Sequence, residues 1–151
     1  MAILLALHTL AVVIWVGGMF FAHMVLRPSA GPLDAAIRLP LWHRVFPRFF
    51  PWVWACVVTI LASGYAMVTL YSGGFAAAPV YVNLMLLLGI VMAGVFWYIY
   101  FGPWPRFNQA VPAADWPAAE KAIARIRTMV RFNLALGLIT TIVGASGRYS
   151  G

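Results

Sequence analysis

Histidine and methionine side chains inside long apolar segments are the residues of this sequence best suited to chemistry. His8 lies in the first apolar segment, Met67 in the second and Met85 in the third. When the segments are laid antiparallel to one another, these three residues fall at similar depth near one surface. An imidazole combined with thioethers favours a soft ion such as Cu(I), whereas hard cations prefer carboxylates. We therefore predict that His8, Met67 and Met85 are metal ligands.

A second group of candidates falls at the opposite ends of the same segments. His23 and His43 lie there at similar depth, close to several arginines. Two histidines on adjacent helices can ligate the iron of haem b, and arginines at the membrane edge can pair with its propionates. Trp15 is included among the candidates because it shares a helix face with His8. The predicted cofactor-binding residues are His8, Trp15, His23, His43, Arg44, Arg48 and Arg131.

Spacing along the first segment predicts that its candidates share one broad helix face. Trp15 is about 20° from alignment with His8 on a regular α-helix, and His23 is about 60° from it. The two imidazoles would stand roughly 22 Å apart along the axis. They cannot share a small ligand, so they mark one outer and one inner layer.

Each candidate also has an ordinary structural explanation. Methionines at helical spacing commonly fill gaps in a core, and His23 or His43 can meet water or phosphate at the headgroup layer. Arginines at the membrane edge can extend toward the interface, and Gly17 and Gly18 suit close helix approach. Aromatic side chains are enriched at membrane surfaces, and this explanation is expected to cover Trp42, Trp52, Trp54, Trp97, Trp104, Tyr71 and Tyr81.

The overall composition excludes a soluble protein. The chain has 151 residues, of which 64% are hydrophobic and 9% charged, and its mean hydropathy is +0.93. An ordinary soluble domain carries about a quarter charged residues. Cys56 is the single cysteine, so the chain can form neither an internal disulfide nor a cysteine-rich metal site. The net charge of +7 does not indicate a nucleic-acid partner, because the basic residues are confined to stretches between apolar segments.

Four apolar segments are each long enough to cross a bilayer as a helix. A hydrocarbon core about 30 Å thick requires roughly 20 apolar residues, and no segment shows the period-two alternation of a barrel strand. The predicted fold is all-α, an integral membrane four-helix bundle that forms a single transmembrane domain over residues 1–151. The predicted spans are about residues 3–26, 51–71, 81–101 and 130–147.

The basic residues predict how the bundle is oriented. Nine of the ten Lys and Arg side chains lie in or beside the two longer connections, and the tenth is Arg148. The positive-inside rule therefore predicts that both longer connections are cytoplasmic and both termini periplasmic. The first segment has no basic n-region and is too long for a signal peptide, so we expect it to be a retained span.

The two cytoplasmic connections are predicted to carry amphipathic segments at about residues 33–48 and 115–129. In the second, Asp115 is a suitable N-cap, and one helix is expected from Trp116 to Gly147, which extends the fourth span into the cytoplasm. In the first, prolines are expected to limit the helix to about Asp34–Leu39 and to bend the entry into the second span. These prolines are Pro32, Pro40, Pro47 and Pro51.

Several motifs resemble the short, four-span members of the copper-resistance protein D (CopD) family. The first span reads HTLAVVIWVGGMFF from His8 and is followed by Arg27-Pro28. The second carries FPRFFPWVW from Phe46 and SGY from Ser63. The likeness runs across most of the chain. It implies an inner-membrane protein linked to copper handling through binding, uptake or delivery.

The first span is also similar to that of the HemJ-type protoporphyrinogen oxidases, small membrane proteins that bind haem b. His8, Trp15 and Gly18 carry this similarity. It implies that any enzymatic activity would be that of a haem-dependent oxidoreductase. Acid-dependent catalysis has no support, because the acidic residues Asp34, Asp115 and Glu120 lie in the connections.

Three functional hypotheses follow for a multi-pass protein of the bacterial inner membrane. The first is copper handling, in which His8 with Met67 and Met85 receives Cu(I) from the periplasmic side. The second is a b-type haem redox protein, and the third is a structural or accessory subunit without a cofactor. The expected partners are the lipid bilayer, a metal ion or haem, and further copies of the chain or a larger membrane complex.

Overall fold

The computed structural model describes residues 1–147 and Tyr149, so Arg148 lies outside the described residues. Helices account for the regular structure, and the described part of the chain contains no β-strand. In chain order the elements are α1 (Ala2–Phe20), a π-helical turn (Phe21–Leu26), α2 (Arg27–Ala30), α3 (Ala35–Tyr71), α4 (Val80–Phe101), α5 (Pro103–Ala110) and α6 (Trp116–Gly147).

Four helical stretches are long and apolar enough to span a membrane, which confirms the predicted all-α membrane architecture. Only 17% to 28% of the residues in their most apolar windows are buried inside the protein. A soluble protein does not expose apolar side chains on this scale, but lipid accommodates them. The stretches are Ala2–Ala30, Ala35–Tyr71, Val80–Ala110 and Trp116–Gly147.

The first membrane helix continues from α1 into α2 but contains the π-helical turn. At the end of this turn the backbone N–H of Arg27 donates to the carbonyl of Ala22, five residues back. A π turn holds more residues than an α-helical turn, so it rotates everything beyond it. The angle predicted between His8 and His23 assumed a regular helix and therefore does not apply across this turn.

The prediction that prolines end the first connecting helix near Leu39 is wrong. Pro40, Pro47 and Pro51 all lie inside α3, which is one continuous helix. Each proline removes a backbone hydrogen bond, but packing against neighbouring helices can offset this loss in a membrane bundle. The N-terminal half of α3 has such packing, since its buried side chains are Leu39, Trp42, Phe46 and Phe50.

The last helix, α6, runs from Trp116 to Gly147 as predicted. Its N-cap is also as predicted, because Oδ1 of Asp115 accepts a hydrogen bond from the backbone N–H of Ala118 at 3.1 Å. Along its length α6 packs on α5, α4 and α1. It therefore connects the first membrane helix with the later ones.

Contacts at the helix ends show how the bundle is assembled. The amino group of Met1 donates to the hydroxyl of Tyr71 at 2.7 Å, so the start of α1 lies beside the end of α3. At the opposite end, Arg38 of α3 forms an ion pair with Glu120 of α6. The two longer connections therefore lie at the end of the bundle away from Met1. Which membrane surface each end faces stays a prediction.

An aromatic cluster fills the bundle between α3, α4 and α5. The ring of Trp42 lies 5.3 Å from that of Phe46, and Trp42 is only 4% exposed. Trp104 meets Phe50 edge to face at 5.2 Å, a geometry that adds to the stability gained from burial. Trp42 therefore faces the other helices, and its burial reflects packing in this cluster. Exposed aromatics among those expected at the surface include Trp52 and Trp97.

Candidate functional site

His8 projects from α1 toward α3, where its ring contacts two adjacent residues. Its Nδ1 atom lies 2.9 Å from Oγ of Ser63. The next residue, Gly64, leaves room for the ring, since a Cβ atom there would lie 3.5 Å from His8 Cε1. The His8 side chain is half-buried, and Ser63 is buried. One hydrogen bond and close packing therefore hold His8 against α3.

The hydrogen bonds of Ser63 favour one tautomer of the His8 ring. A serine hydroxyl has one hydrogen, and Ser63 donates it to the backbone carbonyl of Thr59, with that of Ile60 at 3.3 Å. We expect the hydroxyl oxygen to accept a hydrogen bond from His8, which would place the N–H on Nδ1. Nε2 would then keep its lone pair. Histidines that ligate metals usually donate their second N–H in this way.

The two predicted methionine ligands are placed by different helices. Met67 lies on α3 four residues after Ser63, so the two share a helix face. The side chain of Met85 on α4 contacts α6, where a Cβ atom at Gly144 would lie 3.2 Å from the Met85 sulfur. Both methionines are half-buried. The structure thus brings His8 and Ser63 together, while the approach of the two thioethers to His8 stays a prediction.

Trp15 belongs to the packed face of α1. It is buried together with Ala11 and Met19, which lie one turn to either side. His8 stands three residues before Ala11 and therefore begins the same stripe. The side chain of Trp15 packs within the core, and its contact with a cofactor stays a prediction.

The two histidines of the predicted inner layer, His23 and His43, have different neighbours in the structure. His23 lies half-buried in the π-helical turn, where the charges of Arg27 and Arg131 act on it. His43 packs against α5, and its Nε2 donates to Oδ1 of Asn108 at 2.9 Å, because an amide oxygen can only accept. Haem ligation through Nε2 of His43 would require this hydrogen bond to break.

The arginines predicted to pair with haem propionates are exposed. Arg48 donates to the backbone carbonyl of Arg44 at 2.9 Å. Neither of them, nor Arg131, forms an ion pair within the described residues. Their side chains are accessible to an anionic group, but pairing with propionates stays a prediction.

Within residues 1–147 and 149, no group of three or more His, Cys, Asp or Glu side chains could hold a metal ion. Three such residues, most often with a fourth ligand, form the usual zinc sites of proteins. A metal bound at His8 would therefore need donors of another type. The thioether of methionine is such a donor, and it suits Cu(I).

Ser63, Gly64 and Asn108 contact the predicted histidines but were not themselves predicted to have a role in the site. The position of Ser63 along its helix could have indicated its contact with His8. It precedes the end of α3 at Tyr71 by eight residues, whereas His8 lies seven residues from the start of the chain. Antiparallel packing of α1 and α3 therefore places the two at the same level.

Comparison with known proteins connects most of the chain to one family. Residues 43–146 match the family model described as Copper resistance protein D. The matched region includes Ser63, Met67 and Met85, whereas His8 lies outside it. No curated protein and no solved structure matches the chain.

Proposed function

The chain belongs to the copper resistance protein D family and is a multi-pass inner-membrane protein, and from this premise we propose that it handles copper through a Cu(I) site at His8. The observation that carries the proposal is the orientation of this imidazole. Its Nδ1 lies 2.9 Å from Oγ of Ser63. With the N–H on Nδ1, the lone pair of Nε2 would be available to a metal ion. Copper is the cargo in this proposal, taken up, held or delivered by the protein.

The chemistry of the surroundings favours a soft monovalent ion. Polar and ionisable groups inside a membrane span are costly and commonly mark a substrate or ion pathway. The four spans predicted from the sequence, about residues 3–26, 51–71, 81–101 and 130–147, contain no carboxylate, which a hard divalent cation would need as a ligand. Neutral imidazole and thioether groups bind Cu(I) without such charge compensation.

Met67 and Met85 complete the proposed ligand set. Met67 lies one helical turn from Ser63, on the face of α3 that Ser63 presents to His8. Met85 is carried by α4, and its thioether now packs against Gly144. A methionine side chain is unbranched and has three rotatable bonds, so a change of rotamer can redirect its sulfur toward a metal.

Ser63→Ala is expected to weaken Cu(I) binding by about ten- to a hundredfold, the usual effect of removing the partner of a metal-bound histidine. The substitution removes the hydrogen-bond partner of Nδ1 and leaves the His8 side chain in place. The measurement is a Cu(I) titration of the purified protein under reducing conditions, in competition with a chromophoric Cu(I) chelator.

Thr69→Val is the matched control for this experiment. Thr69 lies on the same helix, and its hydroxyl donates to the carbonyl of Tyr65, four residues back, at 2.9 Å. Ser63 makes the same kind of bond to Thr59, so the control removes a similar hydroxyl that has no histidine partner. An unchanged affinity in Ser63→Ala, or an equal loss in both variants, would contradict the role of Ser63.

A spectrum and an elemental analysis of protein isolated from membranes separate the proposal from its competitors. Bound copper without a Soret band supports the copper site. A Soret band together with iron would replace it with a b-type haem protein ligated through His8, His23 or His43. Neither metal, after expression with ample copper and haem, would instead favour a structural or accessory subunit.

We also propose that the end of the bundle near His8 faces the periplasm, as the positive-inside rule predicts. In a Cys56→Ser background, a membrane-impermeant maleimide is expected to label Ala76→Cys in intact spheroplasts. Ala76 lies in the connection between α3 and α4, and Ala113 lies between α5 and α6. Ala113→Cys should react only after lysis. The reverse pattern would place the copper site on the cytoplasmic side.

A further inference from the structure

A basic groove lies between α5 and the first turns of α6, at the end of the bundle opposite His8. Its volume is about 430 Å³, and its walls include Arg106, Lys121 and Arg125. Asp115 also lines it, with Oδ1 engaged in the N-cap hydrogen bond of α6. The groove therefore presents three cationic side chains and one carboxylate that is partly committed to the backbone.

Within residues 1–147 and 149, these three cationic side chains make no hydrogen bond or ion pair with the rest of the protein. The ion pair found in this part of the chain joins Arg38 to Glu120. Three basic side chains around one groove repel one another and are favourable together when an anion lies between them. Arginine in particular binds phosphate through two parallel hydrogen bonds.

A second groove adjoins the first, since Arg125 lines both. Its volume is about 290 Å³, and its other walls are formed by Tyr98 of α4 and by Ala124, Thr128 and Met129 of α6. These residues present aromatic, methyl and thioether groups and a hydroxyl. From Arg125, the groove follows α6 toward its apolar membrane-spanning part. A free phosphate would leave this second groove empty.

We propose that the two grooves together bind one anionic phospholipid. Its phosphate lies among Arg106, Lys121 and Arg125, and the first part of an acyl chain lies along Tyr98 and Met129. Basic pockets between helices at a membrane surface are known to bind such headgroups. The inference needs only the membrane location of the protein and does not depend on copper.

The test uses the full chain, purified in detergent and titrated with phosphatidylglycerol while native mass spectrometry records the bound lipid. The wild type is expected to retain one phosphatidylglycerol and to bind phosphatidylcholine at least about tenfold more weakly. Each basic residue near a membrane surface contributes an attraction worth about fivefold in affinity. Arg125→Gln should therefore weaken phosphatidylglycerol binding about fivefold, and R106Q/R125Q about twenty-five-fold.

Two further variants make the test specific. Arg27→Gln removes an exposed arginine from α2 at the same end of the bundle, and it should leave lipid affinity unchanged. Ala124→Trp fills the second groove without altering any charge, and it should weaken phosphatidylglycerol binding. Gel filtration and circular dichroism verify that each variant is folded.

The remaining outcomes would overturn the proposal. Equal binding of phosphatidylcholine, or an equal loss in Arg27→Gln, would mean that no specific headgroup site exists. Displacement of the lipid by millimolar inorganic phosphate, with Ala124→Trp behaving as the wild type, would assign the basic groove to a free phosphate.

Discussion

A His8→Ala variant is expected to bind Cu(I) at least about a hundredfold more weakly than the wild type. Removing the hydrogen-bond partner of a ligating histidine already costs about ten- to a hundredfold, and this substitution removes the ligand itself. His8 is the one histidine near the start of α1, so no other imidazole can replace it at that depth. The measurement is the same chelator competition under reducing conditions.

His43→Ala is the control for that experiment. His43 is also a half-buried histidine, but its Nε2 already donates to Asn108, at the other end of the bundle. Its replacement should leave Cu(I) affinity within the error of the wild-type value. If His8→Ala also binds Cu(I) with wild-type affinity, His8 is not a ligand. A Soret band lost in His43→Ala would assign that histidine to haem.

Gly18→Ala is expected to destabilise the folded bundle by about 1–3 kcal/mol, the usual cost of overpacking a core. A Cβ atom on Gly18 would lie 2.5 Å and 2.8 Å from Cε2 and Cζ of Phe49. Carbon atoms in favourable contact stand about 3.5–4.0 Å apart, so the Phe49 ring or the whole of α1 would have to move. The measurement is the thermal unfolding midpoint of the purified protein in detergent.

The neighbouring glycine provides a matched control. Gly17 is also in α1, but an added Cβ atom there would meet no atom within 4 Å. Gly17→Ala should therefore keep the wild-type midpoint or raise it slightly, since alanine favours a helix more than glycine does. Phe49→Leu should partly restore stability in the Gly18→Ala background. A Gly18→Ala protein as stable as Gly17→Ala would contradict the close approach of α1 and α3.

The long apolar helices were predictable because the constraints on them are local. A bilayer requires about 20 apolar residues that satisfy their own backbone hydrogen bonds, and hydropathy along the chain reports such segments directly. The bounds of α6 were predictable for a related reason. Asp115 caps a helix that begins at Trp116, and no proline follows Pro117 before Gly147.

The course of α3 was not predictable from local rules. Pro40, Pro47 and Pro51 predict interruptions, yet the helix continues through all three. Two of its side chains, His43 and Phe46, pack against Phe107 of α5, which comes later in the chain. The effect of a proline on this helix therefore depends on packing against residues that are distant in the sequence.

The spacing of residues along α1 predicted part of the arrangement around His8. The depth of His8 and its alignment with Trp15 are consequences of helical geometry along one segment. The contact with Ser63 additionally needs the rotation of α3 about its own axis, which spacing within α1 does not specify. The π-helical turn changes the position of His23 for a similar reason, since no residue pattern in the first segment predicts it.

Hydropathy, charge and local capping were thus sufficient to establish an all-helical membrane protein and the level of its polar side chains. Packing between distant segments established which of those side chains meet. Ser63 reaches His8, Asn108 reaches His43, and Phe49 closes over Gly18. Helix formation depends on neighbouring residues in the chain, whereas the rotation and tilt of each helix depend on the shapes of side chains carried by the others.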